Sequence, residues 1–348
     1  MNRLLFTIVL RMAPAVIAVA GLTGCAGSFA VKNEAVPAEL QKQLQAQAIS
    51  ASEIKLTGKG AFKSATHSLP PPEGVLKVPM YYERGIPHIK VSLNGHKPKK
   101  FMLDTGATLS VFDAEQALEY GLRTVPQVRP TMAGVLGKEP GMAAVIPTLQ
   151  IGTWRLDNLP CIIRMQRTAV GTGILKEHVG VSLLGVNILA KNCRYATLDF
   201  LQEEFEFGFT RSFPGPARKH RHKASLSMKH GVPTTPLKYG KLAWDAVVDS
   251  GSVFGVQVDR RIAEVLGYKN GGRDVDGNYL ITGIGGAQTP KEANVRVLEF
   301  QALGLFGSYY PSAQVDVMPG PSRLGTYLLK DYRVTLDFEH NVLWVEWG

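Results

Sequence analysis

The chain has 348 residues, with 39 Lys+Arg against 29 Asp+Glu for a net charge of +10, and only three cysteines. That length is large for one simple domain and comfortable for two lobes that each bury a core. With no Cys-x-x-Cys pair and scattered histidines, there is no case for a zinc site, and no cofactor is expected.

Arg3 and then an apolar run over residues 12–22 lead into Leu22-Thr23-Gly24-Cys25, which reads as a secretory signal ending in a lipidation site. Arg11 leaves the run short of the roughly 20 apolar residues that span a bilayer, and no later stretch is long enough. The motif resembles the bacterial lipobox. That resemblance implies that residues 1–24 are a signal peptide and that Cys25 becomes the lipidated first residue. With Ala26 rather than Asp after the cysteine, it places the protein in the cell envelope, on the periplasmic face of the outer membrane. Taking Arg3 and Arg11 from +10 leaves +8 on the remaining 324 residues. Much of that excess sits in Lys97-Pro98-Lys99-Lys100 and in the run from Arg218 to Lys223. Both read as solvated loops or linkers, and no nucleic-acid partner is expected.

Residues 25–73 are rich in Ala, Gln, Lys and Ser and end in Pro70-Pro71-Pro72, so they read as a lipid-anchored tether with one short helix at 38–48. Beyond them two segments match in the order and spacing of their elements. Phe101-Met102-Leu103-Asp104-Thr105-Gly106-Ala107-Thr108 answers Ala246-Val247-Val248-Asp249-Ser250-Gly251-Ser252, each an apolar strand running into an acidic turn. Asp113 to Gly121 and Asp259 to Gly267 each read as a short helix with an acidic start and a glycine end, eight residues apart in both copies. Gly134-Val-Leu-Gly137 and Gly283-Ile-Gly-Gly286 read as hairpin tips. Leu183-Leu184-Gly185 and Arg323-Leu324-Gly325 follow, 81 and 76 residues beyond the respective Asp104 and Asp249. Last come two identical stretches, Thr197-Leu198-Asp199-Phe200 and Thr335-Leu336-Asp337-Phe338.

Short alternating strands dominate both copies, so the class is mainly β: a duplicated unit with lobes at 74–212 and 225–348 joined by a basic linker at 213–224. Residues 234–238 make a poor copy of the strands expected at 77–82 and 89–93. Cys161 and Cys193 fall in one lobe, and the sequence leaves open a disulfide or two buried thiols.

These features resemble the retropepsin-like aspartic proteases, in which an apolar-apolar-Asp-Thr/Ser-Gly turn pairs with a later apolar-apolar-Gly strand. The resemblance covers roughly residues 74–348, as two retropepsin-sized β-barrel lobes in one chain with a pepsin-like cleft between them. It implies an aspartic endopeptidase in which Asp104 and Asp249 activate a water. Thr105, Gly106, Ala107, Ser250, Gly251 and Ser252 would support the turns, Leu184, Gly185, Leu324 and Gly325 would back them, and the hairpins at Gly134–Gly137 and Gly283–Gly286 would be flaps. Arg323 departs from the pattern, which expects an apolar residue there.

The chemistry needs this pairing. Hydrolysing an amide without a metal or covalent nucleophile takes one group that accepts a proton from water and one that gives a proton to the carbonyl oxygen. Two carboxyls close enough to share a proton do both, because like charges at that distance cannot both ionise cheaply; aspartic proteases are the standard example of this. A hydroxyl at Ser252, where the first copy has Ala107, is expected to lower the Asp249 pKa and leave the proton more often on Asp104. His88, His96 and His230 have no Ser or Cys neighbour at a nucleophile spacing, which argues against a serine or cysteine protease. The expected partners are a peptide substrate, bound extended, and the membrane through Cys25, with the protein itself a monomer. Two alternatives remain: a non-catalytic cleft holding a peptide or envelope component, and pairing of the copies between two molecules.

Overall fold

The computed structural model describes residues 31–50, 54–56, 62–171, 177–268, 271–275, 279–300, 303–310 and 312–348. The signal and Cys25 lie outside the described residues. Among those described, no helix is long and apolar enough to cross a membrane.

Period-two burial builds the sheets. Along Ile86–Leu93, Ile89, Val91 and Leu93 are buried while Lys90 is exposed, the pattern of a strand with one face on a core. In the first lobe the strand order is Arg123–Val125, Gly137–Ile151, Trp154–Arg164, Ser110–Phe112, Leu183–Gly185, Lys99–Asp104, Ile86–Leu93, Tyr81–Glu83. In the second it is Arg273–Asp274, Arg296–Phe300, Ala313–Val317, Val256–Val258, Ser322–Leu324, Leu242–Val248, Val232–Tyr239, Ser227–Lys229. Along these eight-strand paths the two sheets run in the same order, with Thr131–Gly134 and His67–Leu69 pairing in addition in the first.

A third sheet joins the lobes. Its six strands run His220–Ser225, Val342–Trp347, Arg333–Asp337, Tyr195–Asp199, Glu204–Gly208, Val75–Pro79, three from each lobe. The central pair brings the two Thr-Leu-Asp-Phe copies together antiparallel, with Thr197 opposite Thr335. Their buried hydroxyls are 2.8 Å apart, so the two identical stretches pair with each other at the centre of the sheet.

Three sequence readings change here, and one left open is decided. Residues 31–50 are not a free tether: Val31–Ala35 pairs with Gln166–Val170, and the helix expected at 38–48 follows as Ala38–Ala46. Val36 and Leu44 are the reason, being buried at 2% and 0% exposure in an otherwise polar stretch. The basic linker is likewise half strand, because His220–Ser225 pairs with Val342–Trp347, His220 stacking on Trp347 and Lys223 lying over the Trp344 ring. The poor copy at 234–238 belongs to a full strand, Val232–Tyr239. Ser227–Lys229 pairs only with Val232, Pro233 and Thr234, so Pro236 faces an open edge where its missing N–H costs nothing. Cys161 and Cys193, finally, are two separate buried thiols whose pKa values are raised by burial, which leaves them unreactive.

Candidate active site

Each acidic turn hangs from the end of a central strand and is backed by a glycine strand. Leu183–Gly185 runs parallel to Lys99–Asp104, placing Gly185 beside Asp104. In the second lobe Ser322–Leu324 runs parallel to Leu242–Val248, and Asp249 N donates to the Leu324 carbonyl at 2.9 Å. A Cβ at Gly185 would fall 2.5 Å from the Leu109 backbone, and one at Gly325 would fall 2.2 Å from the Phe254 carbonyl oxygen. Leu184 and Leu324, both fully buried, hold these strands on the core. The Ala107 carbonyl accepts from Val186 N, and the Ser252 carbonyl accepts from Thr326 N, the same contact in each copy.

The turns then lock to one another. Thr105 Oγ1 donates to the Val248 carbonyl at 2.6 Å, and Ser250 Oγ donates to the Leu103 carbonyl at 2.5 Å. Thr105 N donates to Ser250 Oγ, and Ser250 N donates to Thr105 Oγ1, both at 3.0 Å. Both hydroxyls are buried, so four reciprocal bonds fix the distance between the lobes where the carboxyls project.

Asp104 and Asp249 meet closely enough for each carboxyl to act on the other. A Cβ at Gly106 would lie 2.4 Å from the Asp249 carboxyl carbon, and one at Gly251 would lie 2.3 Å from that of Asp104. Only glycine permits this crossing. Gly106 N donates to Asp104 Oδ1 at 2.8 Å and Gly251 N to Asp249 Oδ1 at 2.9 Å. Burial, and then the neighbouring Asp249 charge, push the Asp104 carboxyl well above the ordinary range, whereas Arg323 pulls it the other way.

Arg323 is therefore part of the site. Its Nε lies 2.9 Å from Asp249 Oδ2, and Nη1 donates to the Pro321 carbonyl. The pair's negative charge rests most favourably against this guanidinium, which puts the shared proton on Asp104. The asymmetry expected from Ser252 is thus supplied by Arg323, the residue that departs from the resemblance. Arg323→Met is expected to move the pH profile of kcat/KM upward, because it removes the cation that pulls the Asp104 carboxyl back down. Ser252→Ala should leave the profile in place. An unmoved profile in Arg323→Met would contradict this assignment.

The two glycine hairpins, the expected flaps, face one another. Gly134 is paired with Gly137, and Gly283 with Gly286. Their tips touch: a Cβ at Gly134 would meet Ile284 at 2.5 Å, and one at Gly285 would meet the Leu136 backbone at 2.5 Å. Gly285 N also donates to Glu139 Oε2 at 2.9 Å. Glu139 is buried and held by Arg164 through Nε to Oε1 at 2.6 Å and Nη2 to Oε2 at 2.9 Å, with Asp113 on the guanidinium's third nitrogen. Nothing in the sequence pattern marks this latch. Asp113 was expected to cap a helix, but its carboxylate accepts from Val181 N and meets Arg164, while Asp259 does cap its helix through Ile262 N.

A further buried carboxyl outside the dyad is that of Asp316. Asp316 is 1% exposed, and burial raises its pKa to about 7. A pKa above that of the unfolded chain gives stability that is complete below about pH 4 and is lost as pH rises through 7. Three units correspond to about 4 kcal/mol at most. Asp316→Asn should flatten this dependence in chemical unfolding between pH 4 and 8; a wild-type minus variant difference that does not change with pH would refute it.

Residues 89–188 match the family model described as aspartyl protease, a stretch of the first lobe that includes Asp104 and Gly185. No curated protein matches the chain. Among solved structures it is similar to the aspartic proteinase from Irpex lacteus, at 11% identity and a TM-score of 0.46, over 79% of this chain and 97% of that one. The family match in the first lobe and the two facing Asp turns together give the chain an aspartic-protease fold.

Proposed function

We propose that the chain is an aspartic endopeptidase that hydrolyses peptide bonds with a water activated by Asp104 and Asp249. The observation that carries the reading is the crossing of the two carboxyls over each other's glycine, with the Asp104 pKa raised. Asp249, ionised against Arg323, takes a proton from water as the water oxygen attacks the carbonyl carbon, and Asp104 gives its proton to the carbonyl oxygen. In the resulting diol one hydroxyl returns a proton to Asp104 while Asp249 protonates the leaving nitrogen. The C–N bond breaks, and the starting protonation is restored.

The flaps suit an extended peptide bound as an added strand, its backbone held from above and its side chains reaching down into each lobe. Because the closed tips touch, a substrate enters only when the Gly285–Glu139 contact opens. Export, lipidation at Cys25 and a position on the periplasmic face of the outer membrane belong to the same reading. They are supported by the apolar run and Leu22-Thr23-Gly24-Cys25.

The test is cleavage of an unfolded protein by the purified chain without residues 1–24, blocked by a statine-type peptide. Absence of any new peptide termini by mass spectrometry would refute the reading and favour a non-catalytic peptide-binding cleft. Mass analysis of the N-terminus from envelope extracts checks the lipid separately.

A further inference from the structure

Beneath the flaps the two lobes present unlike floors. In the first lobe the row of residues in register across the sheet is Met102, Leu183, Val111, Ile162, Ala143. These side chains pack with Met132 and Ile284 from the flaps as one apolar cluster. The corresponding row in the second lobe is Val247, Arg323, Gln257, Asp316, Val297. Residues in register share a face of the sheet, and Arg323 reaches Asp249 from this one, so the face is that of the cleft. Tyr279, just ahead of the second flap, is close enough to Asp316 to feel its charge.

The polar floor is not self-satisfied. Gln257 and Asp316 are each 1% exposed, yet Gln257 Nε2 and Asp316 Oδ1 have no hydrogen-bond partner among the described residues. Buried polar groups are nearly always paired, so two neighbouring exceptions, one a donor and one an acceptor, need a reason. Placed in a substrate cleft, they have one.

We propose that this floor is a specificity subsite for a carboxamide side chain, Gln or Asn, on one side of the scissile bond, with an apolar residue docking on the first lobe on the other side. The proposal rests on the endopeptidase reading and names its substrate class. The carboxamide N–H donates to Asp316 Oδ1, and its carbonyl oxygen accepts from Gln257 Nε2. A cationic side chain would meet Arg323, and an anionic one would meet the negative charge of the dyad. A hydrocarbon would leave both orphaned groups unpaired, the situation in which sites built for hydrogen bonding discriminate most strongly.

The test uses peptides with one scissile bond flanked by Phe and, in either order, by Gln, Asn, Met, Leu, Glu or Lys. The expected result is kcat/KM about tenfold or more higher for Gln or Asn than for the similarly shaped Met. Gln257→Met, with folding checked by circular dichroism, should reduce that ratio to within about threefold, and Asp316→Leu should do the same. Equal rates for Gln and Met in the wild type, or a ratio unchanged in both variants, would overturn the subsite and leave the endopeptidase standing. If no peptide is cleaved, the endopeptidase reading fails, and the Gln and Met peptides rebuilt as uncleavable hydroxyethylene isosteres decide the subsite by calorimetry. Tighter binding of the Gln form supports it; equal binding or none overturns it.

Discussion

Asp104→Asn and Asp249→Asn should each lower kcat/KM by at least about 10³-fold, or about 4 kcal/mol of transition-state stabilisation. Asn at 104 keeps the shape of the protonated carboxyl but has no proton to give the carbonyl oxygen. Asn at 249 removes the base and leaves Arg323 facing a neutral amide. Because the two residues act as one unit, the double variant should be hardly worse than either single one. Mixing the two single variants should restore nothing, since Thr105 and Ser250 lock both turns within one chain. Recovered activity on mixing would move the pairing between molecules and contradict the intramolecular dyad. Steady-state kinetics with a fluorogenic peptide decides all of these outcomes.

Arg164→Met should be the most destabilising single change on the flap side, costing about 3–5 kcal/mol in urea unfolding, because it leaves Glu139 buried and charged without its partner. Adding Glu139→Gln should recover most of that loss, since the cost comes from the stranded charge rather than from the missing pair. Glu139→Gln alone should weaken the carboxylate's grip on Gly285 N and raise KM more than it lowers kcat, because the contact governs flap closure and not the chemistry. A double variant no more stable than Arg164→Met would show that Arg164 acts through packing instead.

How much of this could be read from the sequence depended on how local the physics is. The paired landmarks were legible because they recur at fixed spacing: two Asp turns, two glycine hairpins and two Thr-Leu-Asp-Phe strands, each of which meets its counterpart in the structure. Short alternating strands gave the mainly β class. The Glu139–Arg164 latch was not legible, because its partners lie on two strands of a long hairpin and look like ordinary surface charges until burial is known. Arg323 stood out as a departure from the apolar-apolar-Gly pattern, but only geometry could turn a packing anomaly into a counter-charge for Asp249. The composition of residues 25–73 reads as a tether because averages hide two anchoring residues, Val36 and Leu44. Pro236 hid a strand because the rule against proline holds only where both edges of a strand are paired. Gln257 and Asp316 each sit in a β-like stretch with nothing to mark them, and their meaning came only from comparing one lobe's floor with the other's.

The account stands or falls on Asp104 and Asp249 acting on one reacting centre. A crystal structure with a bound peptide carrying a statine hydroxyl in place of the scissile carbonyl tests this most directly. The account predicts that hydroxyl within about 3 Å of both carboxyls, with Arg323 still on the outer oxygen of Asp249. A peptide lying in the cleft with its hydroxyl touching neither carboxyl, or bound away from the flaps, would contradict it.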